Sequence, residues 1–175
     1  AGQVITTSGS LQASNMNNPG RGLIRGANFY SGDLLTTGTN TTAQIRFTDG
    51  TVMALTPNSK LKVDDYQYHK DPSGDKSVVT LVKGGFRAIT GAISKENPQA
   101  YRAQTPVAVI GVRGTNYGAV LVKGQLFSGV WKGGIIVQNK SGSINLGKND
   151  QFSYTKVISD DVAPIGLSKP PIELS

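Results

Sequence analysis

Tyr101-Arg102-Ala103-Gln104-Thr105-Pro106-Val107-Ala108-Val109-Ile110-Gly111-Val112-Arg113-Gly114-Thr115-Asn116-Tyr117 packs an uncommon order of residue types into the longest apolar run of the chain. Pro106 fixes its own φ and drives Thr105 toward an extended conformation. Gly111 and Gly114 permit a sharp change of direction or a close backbone approach. Arg113, between them, suits two roles: a buried bracket whose guanidinium bonds carbonyls at a turn, or a grip on a carboxylate of a partner or ligand. The bracket is the expected one.

Outward from that stretch the pattern is strand after strand. Ala43, Ile45 and Phe47 alternate with Gln44, Arg46 and Thr48, the period of a half-buried strand. Asp49-Gly50 predicts a tight type I′ turn. In strict two-residue register Met53 and Leu55 would then face away from Ile45 and Phe47; either a one-residue bulge returns them to the core side, or the strand is apolar on both faces and covered by another layer. Lys60-Leu61-Lys62-Val63-Asp64 alternates again, and Ser77 to Val82 is short and β-branched. The polar stretch from Tyr66 to Lys76 reads as a protruding loop. No segment longer than ten residues carries a 3.6-residue period, so helix content is expected to be low.

Composition agrees with a turn-rich β protein. Apolar residues make up 37% of the 175, with 22 glycines and eight prolines dispersed between the apolar stretches. That length suits one domain with a core, or one domain and a small extension. No apolar run approaches the roughly 18 to 20 residues of a membrane-spanning helix. The chain opens directly in strand-like sequence at Ala1-Gly2-Gln3-Val4-Ile5, with no basic and apolar leader, as a processed exported protein would. Lacking cysteine, it can form no disulfide, thiolate nucleophile or cysteine-ligated zinc site.

Val82-Lys83-Gly84-Gly85-Phe86 is echoed by Trp131-Lys132-Gly133-Gly134-Ile135, each setting Lys-Gly-Gly between two short strands, and Gly2 to Gly9 holds a weaker copy. Units that cannot bury an apolar face alone stack on their neighbours, which predicts a rolled sheet. One all-β domain is expected over residues 1–159, with a proline-containing tail over 160–175 that has no β or helical period.

Several segments together resemble the FecR-type domain of bacterial envelope proteins. The stretch from Tyr101 to Tyr117 resembles that domain's signature, and the motifs before it fall in the family's order. Gly32-Asp33-Leu34-Leu35-Thr36-Thr37-Gly38 is similar to the entry turn, and Ala43 to Thr51 to the central hairpin. Leu55-Thr56-Pro57-Asn58-Ser59-Lys60-Leu61 and Val82 to Ala88 follow. The resemblance covers about residues 22–122, leaving 123–159 as a β-repeat extension. It implies a β-solenoid-like arrangement, with a two-sheet β-sandwich as the alternative. It also implies an exported protein of the periplasm or cell exterior. Arg102, Thr105, Pro106, Gly111, Arg113, Gly114, Thr115 and Tyr117 are the binding or structural residues it singles out.

Enzymatic chemistry finds little footing. His69 is the only histidine and sits in the polar loop, so a Ser-His-Asp arrangement has no anchored base. The aspartates beside it lack the spacing of a calcium loop, and Asp71-Pro72-Ser73-Gly74-Asp75 reads as a turn. The glycine clusters match neither a dinucleotide-binding nor a phosphate-binding loop. No metal, cofactor or catalytic residue is expected.

The net charge is +7, from 18 bases and 11 acids, but the bases occur singly. A solvated, mildly basic surface is the expectation; an anionic glycan or a membrane surface would be the partner of a true anion-binding face. The tyrosines are spread out, with hydroxyls expected at the surface, and offer no stacking platform for nucleic acid. What remains is protein binding: an assembly subunit that self-associates, or a periplasmic sensor or signalling module acting through separate membrane proteins.

Overall fold

The computed structural model of the chain describes residues 1–174. Eight short strands among them come first: β1 (Gly2–Thr7), β2 (Leu11–Asn15), β3 (Asn18–Gly22), β4 (Asn28–Phe29), β5 (Leu34–Thr37), β6 (Ala43–Phe47), β7 (Val52–Leu55) and β8 (Lys60–Gln67). They lead into a 14-residue strand, β9 (Lys76–Ile89). A short helix, α1 (Ala92–Glu96), and a 3₁₀ turn at Pro98–Ala100 carry the chain to β10 (Tyr101–Gln104). Two more long strands, β11 (Val109–Val122) and β12 (Gln125–Asn139), form a hairpin, followed by β13 (Gly142–Gly147), β14 (Tyr154–Val157), β15 (Ile165–Leu167) and a 3₁₀ turn at Ile172–Leu174.

Strands β9, β11 and β12 each bend at glycine and serve two layers. The first layer runs β3-β2-β5-β8, then the first half of β9, β10, the first half of β11, the second half of β12, and β13. The second runs β4-β1-β6-β7, then the second halves of β9 and β11, the first half of β12, β14 and β15. The two layers face each other. Phe47 of β6 lies 5.1 Å from Tyr66 of β8, ring to ring, and one apolar cluster draws on both layers.

The all-β class holds, but the chain does not build a solenoid of stacked coils. Stacked coils pair in parallel, whereas among the described strand ladders only β9 with β10 is parallel. The 15 strands form one continuous sheet that doubles over at the bends into two facing layers. The Lys-Gly-Gly echo marks two bends in continuous strands, not two repeat units. Gly84 at φ 73° and Gly133 at φ 81° supply the left-handed turn that a residue with a Cβ resists. Gly85 N–H donates to Ser59 Oγ (3.0 Å), so two motifs far apart in sequence meet at the first bend.

Asp49-Gly50 forms a three-residue loop instead of a type I′ turn. Phe47 N–H donates to Thr51 O at 2.8 Å, leaving Thr48, Asp49 and Gly50 as the loop, with Gly50 at φ 93°. The extra residue sets Met53 opposite Ile45 and Leu55 opposite Ala43, all four inside. Asp49 cannot stay at the surface because α1 docks on it. Its carboxylate accepts from Thr51 N–H (3.0 Å) and Ile93 N–H (3.2 Å). A two-residue turn with positive φ at both positions occurs instead at Lys123-Gly124.

Strand β8 runs further than the sequence pattern predicts, taking Tyr66 into the core. The remaining loop closes on Asp75, whose carboxylate accepts from His69 N–H (2.7 Å) and Asp71 N–H (2.8 Å). The segment after Asp160, without strand pattern in sequence, adds β15 beside β14 and is held by Asn139 Nδ2 donating to Val162 O at 2.8 Å. Ser175, the last residue of the expected tail, lies outside the described residues. No helix among them is long and apolar enough to cross a membrane.

Candidate functional site

Strands β10 and β11 carry the signature, and their geometry divides its residues between three tasks. Thr105 and Pro106 make the connecting turn. Thr105 Oγ1 accepts from Ala108 N–H (3.0 Å) and donates to Ala108 O (2.7 Å), which closes the loop around exposed Pro106. Thr115 and Tyr117 belong to the interior. Thr115 N–H donates to Thr90 Oγ1 and Thr90 N–H to Thr115 O, both at 2.9 Å, so this pair ties β11 to the end of β9 at the bend. Tyr117 Oη meets Tyr101 Oη at 2.7 Å. Burial raises the pKa of both phenols. Tyr101, Tyr117 and Tyr66 therefore depart from the expectation of surface hydroxyls.

Arg102, Gly111 and Arg113 face outward together. Alternation along β11 points Ile110 and Val112 inward, which forces Arg113 out. A register shift between Arg113 and Asn116 then resets the phase so that Thr115 and Tyr117 are buried. Arg113 is consequently no buried bracket; it is exposed, and the Thr90–Thr115 pair does the tying. Gly114 takes the bend itself at φ 49° with open space around it.

Gly111 sits opposite Arg102 on β10 and opposite Ile136 on β12. A Cβ here would come within 3.1 Å of Ile136 Cγ2, so the bare backbone forms the floor of a groove of about 580 Å³. Arg102 and Arg113 line it with Gln138, Asn145 and Asp150. Neither guanidinium has a hydrogen bond or ion pair with any described residue; the ion pairs among these are Arg21–Asp33, Lys62–Asp64, Lys76–Asp65 and Lys140 with Asp160 and Asp161. Two guanidiniums on one face, with Asp150 the only acid lining the groove, leave it net positive and suited to an anionic group.

Gln138, Asn145 and Asp150 were invisible to sequence reading, since only the β11–β12–β13 register and the turn after β13 set them beside the signature. A larger depression, about 730 Å³, lies on the second layer between β1, β4 and β6 and takes nothing from the signature. Among the described residues no cluster of three or more His, Asp or Glu is placed to hold a metal ion.

The sequence family described as FecR protein matches residues 33–135. No curated protein sequence matches the chain. Two crystal structures of a "putative anti-sigma factor" from Parabacteroides distasonis ATCC 8503, at 2.50 Å and 1.65 Å, share the fold with TM-scores of 0.61. Identity is 14% and 13%, and the alignment covers 78% of this chain. The match spans 60% of the length of each solved chain.

Proposed function

The chain belongs to the FecR protein family, and from that premise we propose that it is a non-enzymatic signalling module of the bacterial envelope that works through protein partners. The family match over residues 33–135 carries this reading, because it contains both the fold-building motifs and the outward Arg102–Gly111–Arg113 row. The fold shared with a protein titled an anti-sigma factor points the same way. The expectation of a self-assembling structural subunit gives way to it, since neither the family nor the fold neighbours support assembly. Export to the periplasm or cell exterior is part of the proposal, as is one domain over residues 1–159 with 160–175 as its proline-containing tail.

The route by which a bound partner would be felt is mechanical. Strands β11 and β12 line the groove in the first layer and continue into the core of the second. Pressure on one end of such a strand is transmitted by a close-packed interior.

A photoreactive residue placed at exposed Gln138 tests this in cells, together with the mass of the purified chain over a concentration series. The expected result is a discrete adduct with another protein and a monomer at every concentration. Concentration-dependent assembly with only self-adducts would restore the structural-subunit reading.

A further inference from the structure

The groove over Gly111 does not end at the bend. Gly134 lines it, while the preceding residue, Gly133, lines a second groove of about 530 Å³ on the other layer, with Trp131, Lys132, Lys148 and Tyr154. The two depressions meet across one peptide bond. Gly114 and Gly133 are exposed at the crest, and the register skip between Arg113 and Asn116 leaves Gly114 outside the β11–β12 ladder. The result is a saddle with bare backbone at its ridge.

Charge on the saddle is one-sided. Arg102 and Arg113 stand on one slope and Lys132 and Lys148 on the other, none with a hydrogen-bond or ion-pair partner among the described residues. Asp150 is the only acid lining either groove. Four cations gathered around one ridge beside a single acid call for a ligand with more than one anionic group, spaced to reach both slopes.

The aromatic side chains argue against a sugar or a nucleobase as that ligand. The Arg87 guanidinium already covers the Trp131 ring, 4.0 Å from its centroid, and Tyr154 meets the same ring edge-on at 6.3 Å. Trp131 is thus already engaged by a cation of the chain itself. Unladdered backbone at the ridge instead suits another main chain, whose N–H and C=O groups can pair with it.

We propose that the saddle binds an extended acidic segment of a partner protein, with carboxylates at Arg102 and Arg113 on one side and at Lys132 and Lys148 on the other. This rests on the protein-partner reading above and names the chemistry of the partner.

The test is a fluorescence-anisotropy titration of the whole chain with a labelled peptide of alternating Glu and Ser, its Gln counterpart, and oligogalacturonate as an acidic glycan. The Glu peptide should bind and the Gln peptide should not. Arg102→Gln/Arg113→Gln and Lys132→Gln/Lys148→Gln should each weaken binding by roughly tenfold. Lys60→Gln/Lys70→Gln removes the same charge away from the saddle and should change binding by less than about twofold. Equal loss in that control, tighter binding of the glycan, or no binding of the Glu peptide would each overturn the proposal. A discrete protein adduct captured from another face, with the peptide unbound, would sink the acidic-segment idea and leave the signalling reading standing.

Discussion

The hydroxyls of Tyr101 and Tyr117 lie 2.7 Å apart in the interior and join β10 of the first layer to the second half of β11. Both side chains are fully enclosed, so neither hydroxyl can exchange its partner for water. Tyr101→Phe or Tyr117→Phe should each lower stability by about 1 to 3 kcal/mol. The double variant should lose less than the sum of the two, read from chemical denaturation as a double-mutant cycle. Additive losses would show that the pair is not coupled.

Burial also raises the pKa of Tyr66, Tyr101 and Tyr117 above the unfolded value of about 10. The unfolded chain then gives up these protons before the folded one does. Their contribution is complete below about pH 10 and disappears as pH rises toward the folded values. Phenolate absorbance from these three residues should appear together with loss of tertiary structure. Ionisation of all three in a chain that stays folded would contradict their placement.

Asp33 behaves in the opposite sense. Burial by itself would raise its pKa, but bonds from Arg21 (2.7 Å), Asn15 Nδ2 (2.9 Å) and Tyr30 N–H (2.8 Å) outweigh burial and hold the carboxyl below its ordinary value. Its stabilisation is present above the unfolded pKa of about 3.9 and is lost as pH falls toward the folded one. Asp33→Asn should flatten the acid limb of the stability curve. Arg21→Ala, which strands a buried carboxylate, should cost about 2 to 3 kcal/mol near neutral pH.

Two glycines at bends should respond differently to the same methyl group. At Gly84, φ is 73° and a Cβ would collide with Ser59, so Gly84→Ala should cost at least about 3 kcal/mol or prevent folding. At Gly114, φ is 49° and nothing lies within 4 Å, which leaves only the left-handed penalty of about 1 to 2 kcal/mol. Comparable losses at the two sites would mean that the Ser59 clamp is not what holds the first bend.

Arg113→Ala should leave the melting transition within about 0.5 kcal/mol of the parent, because the side chain is exposed and unpartnered. As a buried bracket it would have cost several times that. Thr90→Ala, which removes the acceptor of Thr115 N–H, should cost about 1 to 2 kcal/mol and so exceed it. A reversed order of the two losses would restore the bracket.

Local pattern foretold some of these elements and missed others for reasons of scale. The alternation of Ala43, Ile45 and Phe47 was readable because half-burial writes a period of two into the residues themselves. The inward return of Met53 and Leu55 was one of two readings open to the pattern, and the extra loop residue decided it. The strand β15 left no such trace. Its burial pattern is mixed, and it pairs through backbone that any sequence possesses. The hydroxyl contact of Tyr101 and Tyr117 needed the facing of two layers, which no spacing of 16 residues encodes.

Sequence by itself determined that this chain is all-β and of the FecR type, because strand period, turn glycines and motif order are local properties carried by residue identity. It also marked Arg102, Gly111 and Arg113, with Thr105, Pro106, Gly114, Thr115 and Tyr117, as residues of one signature. Whether they pointed into the protein or out of it was decided only by the tertiary structure. The bulge after Arg113 sets the side-chain phase, the β11–β12–β13 register brings Gln138 and Asn145 alongside, and the turn after β13 adds Asp150. Phase and register are relations between strands, fixed by which faces bury against each other, and a single linear pattern does not contain them.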